Sequence, residues 1–168
     1  MSRAFVKETD GDDADDLPPR PQSPHVNYVT PAGFRLLQQR LRELATRKSL
    51  LSGSDDMADR QQLKRVERDL RFYEERLERA VLVRPETQPD DKVHFGATVA
   101  VRDRAGAVET FAIVGEDEAD AAQGKISWVS PLAAALMDAE VGDEVCWKRP
   151  MGDKELEVLT ISKDGGVC

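Results

Sequence analysis

The sequence predicts an α+β protein: an antiparallel two-helix coiled coil followed by a small antiparallel sheet domain with one short helix. Two observations lead to this fold class. Between residues 30 and 83, apolar residues recur every three or four positions, which is the spacing of a narrow stripe along a helix. After residue 92 the period shortens to two, the spacing of strands with one buried face. The change of period separates a helical unit from a sheet unit along the chain.

Residues 1–27 are expected to form a disordered acidic and proline-rich tail. An acidic run at 10–16 is followed by four prolines, and the segment offers almost no apolar surface to bury. A solvated tail is the simpler interpretation. The alternative is that residues 2–6 dock on a partner.

Residues 28–83 are expected to form the coiled coil, which we call the finger. Thr30 followed by Pro31 is typical of a helix start, with a hydroxyl cap and then proline at the first helical position. The first helix should run to about Ser52, which gives a length of ~30 Å. The turn lies at 52–55, and the second helix is predicted over about 56–83.

One register aligns the apolar stripes of the two helices. Both stripes step 3-4-3-4-3, and antiparallel pairing places Leu44 opposite Leu70 and the fold-back near Met57. Lys48 is the one charged residue of the stripe, and this register puts it opposite Val66 and not opposite a carboxylate. The paired stripes are Phe34, Leu37, Leu41, Leu44, Lys48 and Leu51, then Leu63, Val66, Leu70, Tyr73, Leu77 and Ala80.

The C-terminal part should form one small domain over 93–162, joined to the finger by a polar linker at 84–92. Ser130 and Pro131 predict the start of its single short helix, again as a cap followed by proline. Residues 163–168 are expected to form a frayed tail. Strands are predicted over 97–101, 108–114, 125–129, 145–148 and 156–161.

The charge of the chain is unevenly distributed. The net charge is -8, yet residues 30–80 carry twelve basic and nine acidic side chains. The acidic total argues against independent binding to duplex DNA, since that affinity comes largely from neutralising phosphates. The basic stem of the finger is suited to an anionic partner, and the acidic tip to a basic protein surface or a metal ion.

Other composition signals exclude several classes of protein. Cys146 and Cys168 have neither disulfide-framework nor metal-ligand spacing, and His25 and His94 are isolated. No apolar run approaches the ~20 residues of a membrane span, and the N-terminus lacks the apolar core of a signal peptide. We expect a cytoplasmic monomer with no membrane contact and no cofactor of its own.

Several segments resemble the bacterial Gre transcript-cleavage and elongation factors. In the C-terminal part they are 126–136 (ISWVSPLAAAL) and 141–145 (VGDEV). Earlier segments are 28–33 (YVTPAG), 77–80 (LERA) and 95–97 (FGA), so the likeness covers about residues 28–162. The chain is most similar to the GreB branch. The resemblance implies a coiled coil that enters the secondary channel of bacterial RNA polymerase, and an FKBP-like C-terminal domain that grips the channel rim.

The tip departs from this family. Members that support cleavage carry Gly-Asp-x-x-Glu-Asn there, on longer arms. Ungapped counting from Ala80 puts Ser49 and Ser52 at the two acidic positions, and Ser54 to Arg60 (SDDMADR) stands at the turn itself. Each arm is shorter by about two helical turns, or ~11 Å of reach. A short, altered finger also resembles Rnk, a regulator that binds polymerase without cleavage.

The resemblance implies roles for the tip. Asp55, Asp56 and Asp59 are its candidate catalytic residues, which would act by assisting the Mg²⁺-dependent cleavage that the polymerase itself performs. Asp56 and Asp59, three positions apart on one helical turn, could hold a Mg²⁺ shared with the polymerase and orient water. The alternative is structural, because aspartates at a helix start cap free N–H groups and favour the positive end of the helix dipole.

The resemblance also implies contact residues away from the tip. Ser130 and Pro131 match positions that bind the polymerase rim, although Val129 replaces an acidic residue usual in the family. The basic side chains of the second helix could face RNA, including the nascent 3′ end, or acidic polymerase surface. They could equally pair with their own acidic neighbours. They are Lys64, Arg65, Arg68 and Arg71, and further along Arg76 and Arg79.

Two function classes remain beside cleavage stimulation. An FKBP-like fold suggests a peptidyl-prolyl isomerase, but residues 84–168 offer few aromatic side chains for a pocket. A scaffold that competes with other secondary-channel proteins needs only the fold and the rim contact. Contact with DNA would then be indirect, through the elongation complex.

Overall fold

The computed structural model describes residues 17–163. Within this range the elements are three helices, seven strands and two short 3₁₀ turns, at Pro85–Thr87 and Ala121–Gln123. The helices are α1 Pro31–Leu51, α2 Met57–Glu78 and α3 Pro131–Leu136. The strands are β1 Asn27–Val29, β2 Ala80–Leu82, β3 Thr98–Asp103, β4 Val108–Val114, β5 Lys125–Ser127, β6 Glu144–Trp147 and β7 Lys154–Ser162.

Helices α1 and α2 form the predicted antiparallel finger. The Thr30 hydroxyl accepts the Gly33 N–H at 3.0 Å, so the predicted cap of α1 is confirmed. Leu37, Val66 and Leu70 are buried, and every other residue of the two stripes except Lys48 is at least half-buried. The predicted stripes therefore form the seam between the helices.

The second helix ends earlier than predicted. It stops at Glu78, and the next residues form β2, which pairs in parallel with β1 just before α1. The short pairing joins the start of the finger to its end, and the Val83 N–H continues it by bonding to the Val29 carbonyl at 2.9 Å. Three residues are too few to show a strand period, so no local pattern predicts this small sheet.

Two further predictions about the finger and tail are wrong. Lys48 does meet a carboxylate, because its Nζ lies 3.3 Å from Glu67, one position beyond Val66. The expected disordered tail does not extend to Asn27: residues 17–26 lie against α2 and the sheet domain. The Arg20 guanidinium stacks 3.9 Å from the Phe72 ring centroid and bonds to Asp69. Residues 1–16 and 164–168, including Cys168, lie outside the described residues.

The C-terminal domain is a five-stranded sheet with α3 packed against it, in the strand order β5-β4-β3-β7-β6. All pairings are antiparallel except β4–β5, which is parallel, so the sheet is mixed and not purely antiparallel. The α+β fold class is confirmed. The buried core of this domain comes entirely from residues 93–158, which means the sheet does not borrow its core from the finger. Within residues 17–163, no helix combines the length and hydrophobicity needed to cross a membrane.

Candidate functional site

The tip of the finger is a turn built by its own aspartates. Asp56 caps α2, its carboxylate accepting the Ala58 N–H at 2.8 Å, and its own N–H donates to the Ser54 hydroxyl at 3.2 Å. The Asp55 side chain is fully exposed and lies 3.7 Å from Arg60. Asp59 lies in the first turn of α2, where the positive end of the helix dipole favours a carboxylate. Asp56 therefore caps the helix, and Asp59 lies near the positive end of the helix dipole, as the structural alternative predicts.

The tip alone does not make a metal centre. Among the described residues, no group of three or more His, Cys, Asp or Glu side chains is arranged to hold an ion. One oxygen of Asp56 is already used by the cap, and Asp55 is turned to Arg60. Asp59 has no hydrogen-bond or ion-pair partner within residues 17–163. At most two carboxylates of the tip are available, so a Mg²⁺ held here would need ligands from elsewhere.

The tip also exposes apolar surface that the sequence analysis did not single out. Met57 is 69% exposed, and Leu50, the second-last residue of α1 and off the seam, is 78% exposed. The stripe pattern predicts that Leu50 lies outside the seam, but it does not distinguish an exposed leucine from one covered by a neighbouring element. The outermost turn thus carries both carboxylates and large apolar side chains.

The basic stem residues of α2 divide into two groups. Arg65 and Arg71 are exposed and pair with no carboxylate in the part of the chain that the structure describes, whereas Arg68 is half-buried beside Asp69 at 3.7 Å. Lys64 is half-buried and already takes part in an interaction, so it does not belong with the open arginines. The open arginines keep their charge available to an anionic partner.

Arg76 does not fit the expectation of a solvent-facing basic surface, whereas Arg79 is exposed and pairs with an acidic neighbour, the alternative expected from the sequence. Arg76 is buried at 3% exposure and bonds to Asp117 of the sheet domain, with Nε to Oδ2 at 2.7 Å. Arg79 pairs with Glu75 at 3.1 Å, one helical turn away. Arg76 is therefore an interdomain residue. A 3.5-residue period cannot reveal this, because the partner lies 41 residues away in another unit.

The Ser130–Pro131 corner lies where β5 leads into α3. The Ser130 hydroxyl accepts the Ala133 N–H at 3.2 Å, which makes it the cap of α3, and Pro131 is exposed at the first helical position. Next to the corner, Trp128 packs edge-on against Tyr28 with ring centroids 5.0 Å apart. The corner is thus an exposed turn on a rigid base, close to the foot of the finger.

Comparison with known proteins places these features in one family. The family described as "Transcription elongation factor, GreA/GreB, C-term" matches residues 88–163. The chain is 38% identical over 151 residues to the transcription elongation factor GreB of Neisseria meningitidis serogroup A, covering 80% of this chain and 93% of the relative. It is 35% identical over 115 residues to GreA of Nitratidesulfovibrio vulgaris, covering 68% of this chain and 71% of that one.

Among solved structures, GreA factor homolog 1 (Gfh1) of Thermus thermophilus is 27% identical, with 82% of this chain and 99% of that chain covered at a TM-score of 0.40. The GreB relative is matched along nearly its whole length, so the likeness takes in the finger as well as the sheet domain. The chain therefore belongs to the GreA/GreB family of transcription elongation factors.

Proposed function

We propose that this chain regulates transcript elongation by binding bacterial RNA polymerase, with the finger in the secondary channel and the sheet domain on the channel rim. Its relatives are named transcription elongation factors, which supports the partner. Helix α1 has 21 residues, so the finger reaches about 32 Å beyond its base. A thin projection of this length suits a narrow channel better than an open surface.

The tip geometry favours a regulator that occupies the channel without supplying a metal site of its own. The main support is that the Asp56 carboxylate caps α2 by accepting the Ala58 N–H at 2.8 Å, while no group of acidic side chains among the described residues is arranged to bind an ion. On this proposal the factor is not an enzyme, and it acts by competing with other secondary-channel proteins, as a Rnk-like binder would.

A second candidate function, stimulation of transcript cleavage by the polymerase, is favoured by Asp59. Its carboxylate has no partner within residues 17–163 and stands one helical turn from Asp56. In that case the two carboxylates would complete the coordination of a Mg²⁺ at the polymerase active site and help to orient water. The exposed Arg65 and Arg71, with Lys64 and Arg68 beside them, would face RNA or acidic polymerase surface.

The deciding experiment is incubation with a stalled, backtracked elongation complex, followed on a sequencing gel. We expect the chain to bind and to displace another channel factor, with transcript shortening no faster than without it. Asp56→Asn together with Asp59→Asn keeps the side-chain shapes and the capping oxygen but removes two charges. The displacement should therefore change little in this double variant.

Rapid Mg²⁺-dependent shortening by the unmodified chain, lost in the double variant and partly restored by more Mg²⁺, would establish the cleavage function instead. The matched control is Glu74→Gln together with Glu78→Gln, which removes two charges at exposed positions of α2 away from the tip. Failure of the unmodified chain to bind polymerase at all would contradict both functions.

A further inference from the structure

Three consecutive carboxylates after β4 each contact a different segment at the base of the finger. Glu116 accepts the Ser23 hydroxyl of the N-terminal segment at 2.9 Å. Asp117 accepts from Arg76 of α2, and Glu118 accepts the hydroxyl of Thr30, the cap of α1. We call residues 116–118 the acidic loop. It connects the sheet domain to the N-terminal segment at Ser23, to the start of α1 and to the last turn of α2.

The central contact of the acidic loop is an ion pair between a buried arginine and a half-buried carboxylate. The Arg76 side chain is 4% exposed, and both its Nε and one terminal nitrogen bond to the same Asp117 oxygen, while Glu116 lies 3.8 Å away. The Asn27 amide, just before β1, donates to the Arg76 main-chain carbonyl at 2.6 Å. A buried guanidinium tolerates only positions where its partners remain in reach, since leaving it unpaired is strongly unfavourable.

The surrounding backbones approach closely enough to fix this arrangement. A Cβ added at Gly115 would lie 2.5 Å from the Tyr28 carbonyl oxygen, and one at Gly33 would lie 2.7 Å from a Glu118 oxygen. The contact at Gly115 is with backbone, so only glycine there allows the acidic loop to lie against β1, whereas at Gly33 the end of the Glu118 side chain could move aside. Buried charge and close backbone packing thus occur at the same joint.

We propose that the acidic loop is the positioning device of the finger, with Arg76 and Asp117 as the residues that set its direction relative to the sheet domain. Buried ion pairs contribute little net stability compared with apolar replacements, and in some proteins they select one packing arrangement, which is the role assigned to Arg76 and Asp117 here. The finger is long, so a tilt of 10° at the base moves the tip of a ~32 Å arm by about 6 Å. The consequence for polymerase, though not the joint itself, rests on the proposed function.

The direction of the finger can be measured with two spin labels on the full chain. Cys146 on β6 is exposed and takes one label, Ser54→Cys at the tip takes the other, and Cys168→Ser removes the third thiol. We expect a single narrow distance distribution in this background. Asp117→Asn should broaden it, whereas Glu157→Gln, the same acid-to-amide change in the exposed Arg102 pair, should leave it narrow.

A second variant separates direction from stability. Arg76→Met with Asp117→Leu removes both charges and keeps similar volumes, so the thermal midpoint should stay at or above that of the Asp117→Asn chain. The distance distribution should nevertheless remain broad, because apolar contacts do not specify one angle. A narrow distribution at the unmodified distance, in either variant, would overturn the proposal.

Polymerase binding then tests the consequence. If the competent direction falls to about one tenth of the population, the apparent Kd should rise about tenfold in both variants. Broadened distances with unchanged affinity would overturn the claim that direction matters for docking. An unmodified chain that fails to bind would instead contradict the proposed function, while the distance measurements would still decide on the joint.

Discussion

At the scale of single residues, Asp56 has two possible roles that one substitution cannot separate. Its carboxylate caps α2 through the Ala58 N–H, and it is also a candidate metal ligand. Asparagine at an N-cap is about as effective as aspartate, whereas alanine is not. Asp56→Asn therefore removes the charge and keeps the cap, whereas Asp56→Ala removes both.

Asp56→Ala should lower the free energy of unfolding by about 1 kcal/mol, the usual cost of losing a side-chain cap. Asp56→Asn should stay close to the unmodified chain. Asp55→Ala is the neighbouring control, and because Asp55 is fully exposed its change should remain within about 0.5 kcal/mol. Urea unfolding followed by circular dichroism measures all three. Equal losses in Asp56→Ala and Asp55→Ala would contradict the capping role.

Residue roles that depend on sequence neighbours could be predicted, and those that depend on distant partners could not. The caps Thr30 and Ser130 were predicted because a hydroxyl followed by proline is a local signal. Arg76 resembled any other stem arginine until the fold brought Asp117 against it. The register places Lys48 opposite Val66, but its long side chain reaches the adjacent residue, Glu67.

At the scale of elements, periodicity predicts the long helices and misses the two strands at the base of the finger. The seam of the finger follows the 3-4 stripes, and the five strands of the sheet domain lie where strands are predicted. Helix α2 nonetheless ends at Glu78, because the following residues form β2 and pair with β1. No local sequence pattern predicts this pairing. The parallel pairing of β4 with β5 is likewise a tertiary outcome.

Leu44→Asp tests the seam. Leu44 is half-buried, and the predicted register places it opposite Leu70. A carboxylate there loses apolar contacts and its own hydration, so we expect a loss of about 2–4 kcal/mol in unfolding free energy. Leu50→Asp is the matched control: the same change on the same helix at a side chain 78% exposed should cost less than about 0.5 kcal/mol. Similar melting curves for the two variants would contradict the seam.

At the scale of the whole molecule, two units with separate cores are held together by polar contacts and by the packing of Tyr28 against Phe95 and Trp128. The core of the sheet domain lies within residues 93–158, while the finger is stabilised along its own seam. Residues 17–26 and the acidic loop then cross between the units. The composition of the N-terminal segment predicts disorder because the segment lacks apolar residues. Arg20 nevertheless stacks on Phe72, and this contact does not need apolar residues in the segment itself.

This division predicts which unit supplies the affinity for polymerase. Because the sheet domain has its own core, a fragment of residues 84–163 should fold and compete with the full chain for polymerase, although weakly. Pro131→Arg in the fragment should abolish competition by placing a long charged side chain on the exposed corner. Val141→Arg, the same new residue at a site 60% exposed on another turn, should leave competition unchanged.

The complementary fragment, residues 17–83, provides the opposing result. Its finger should retain helical circular dichroism but fail to compete, since the exposed Arg65 and Arg71 would make only salt-screened contacts. If this fragment competes and residues 84–163 do not, then the stem of the finger supplies the affinity and the rim-binding corner does not. Titrating both fragments at two salt concentrations makes the outcome decisive, because an affinity carried by exposed arginines falls steeply with salt whereas one carried by a packed proline corner does not.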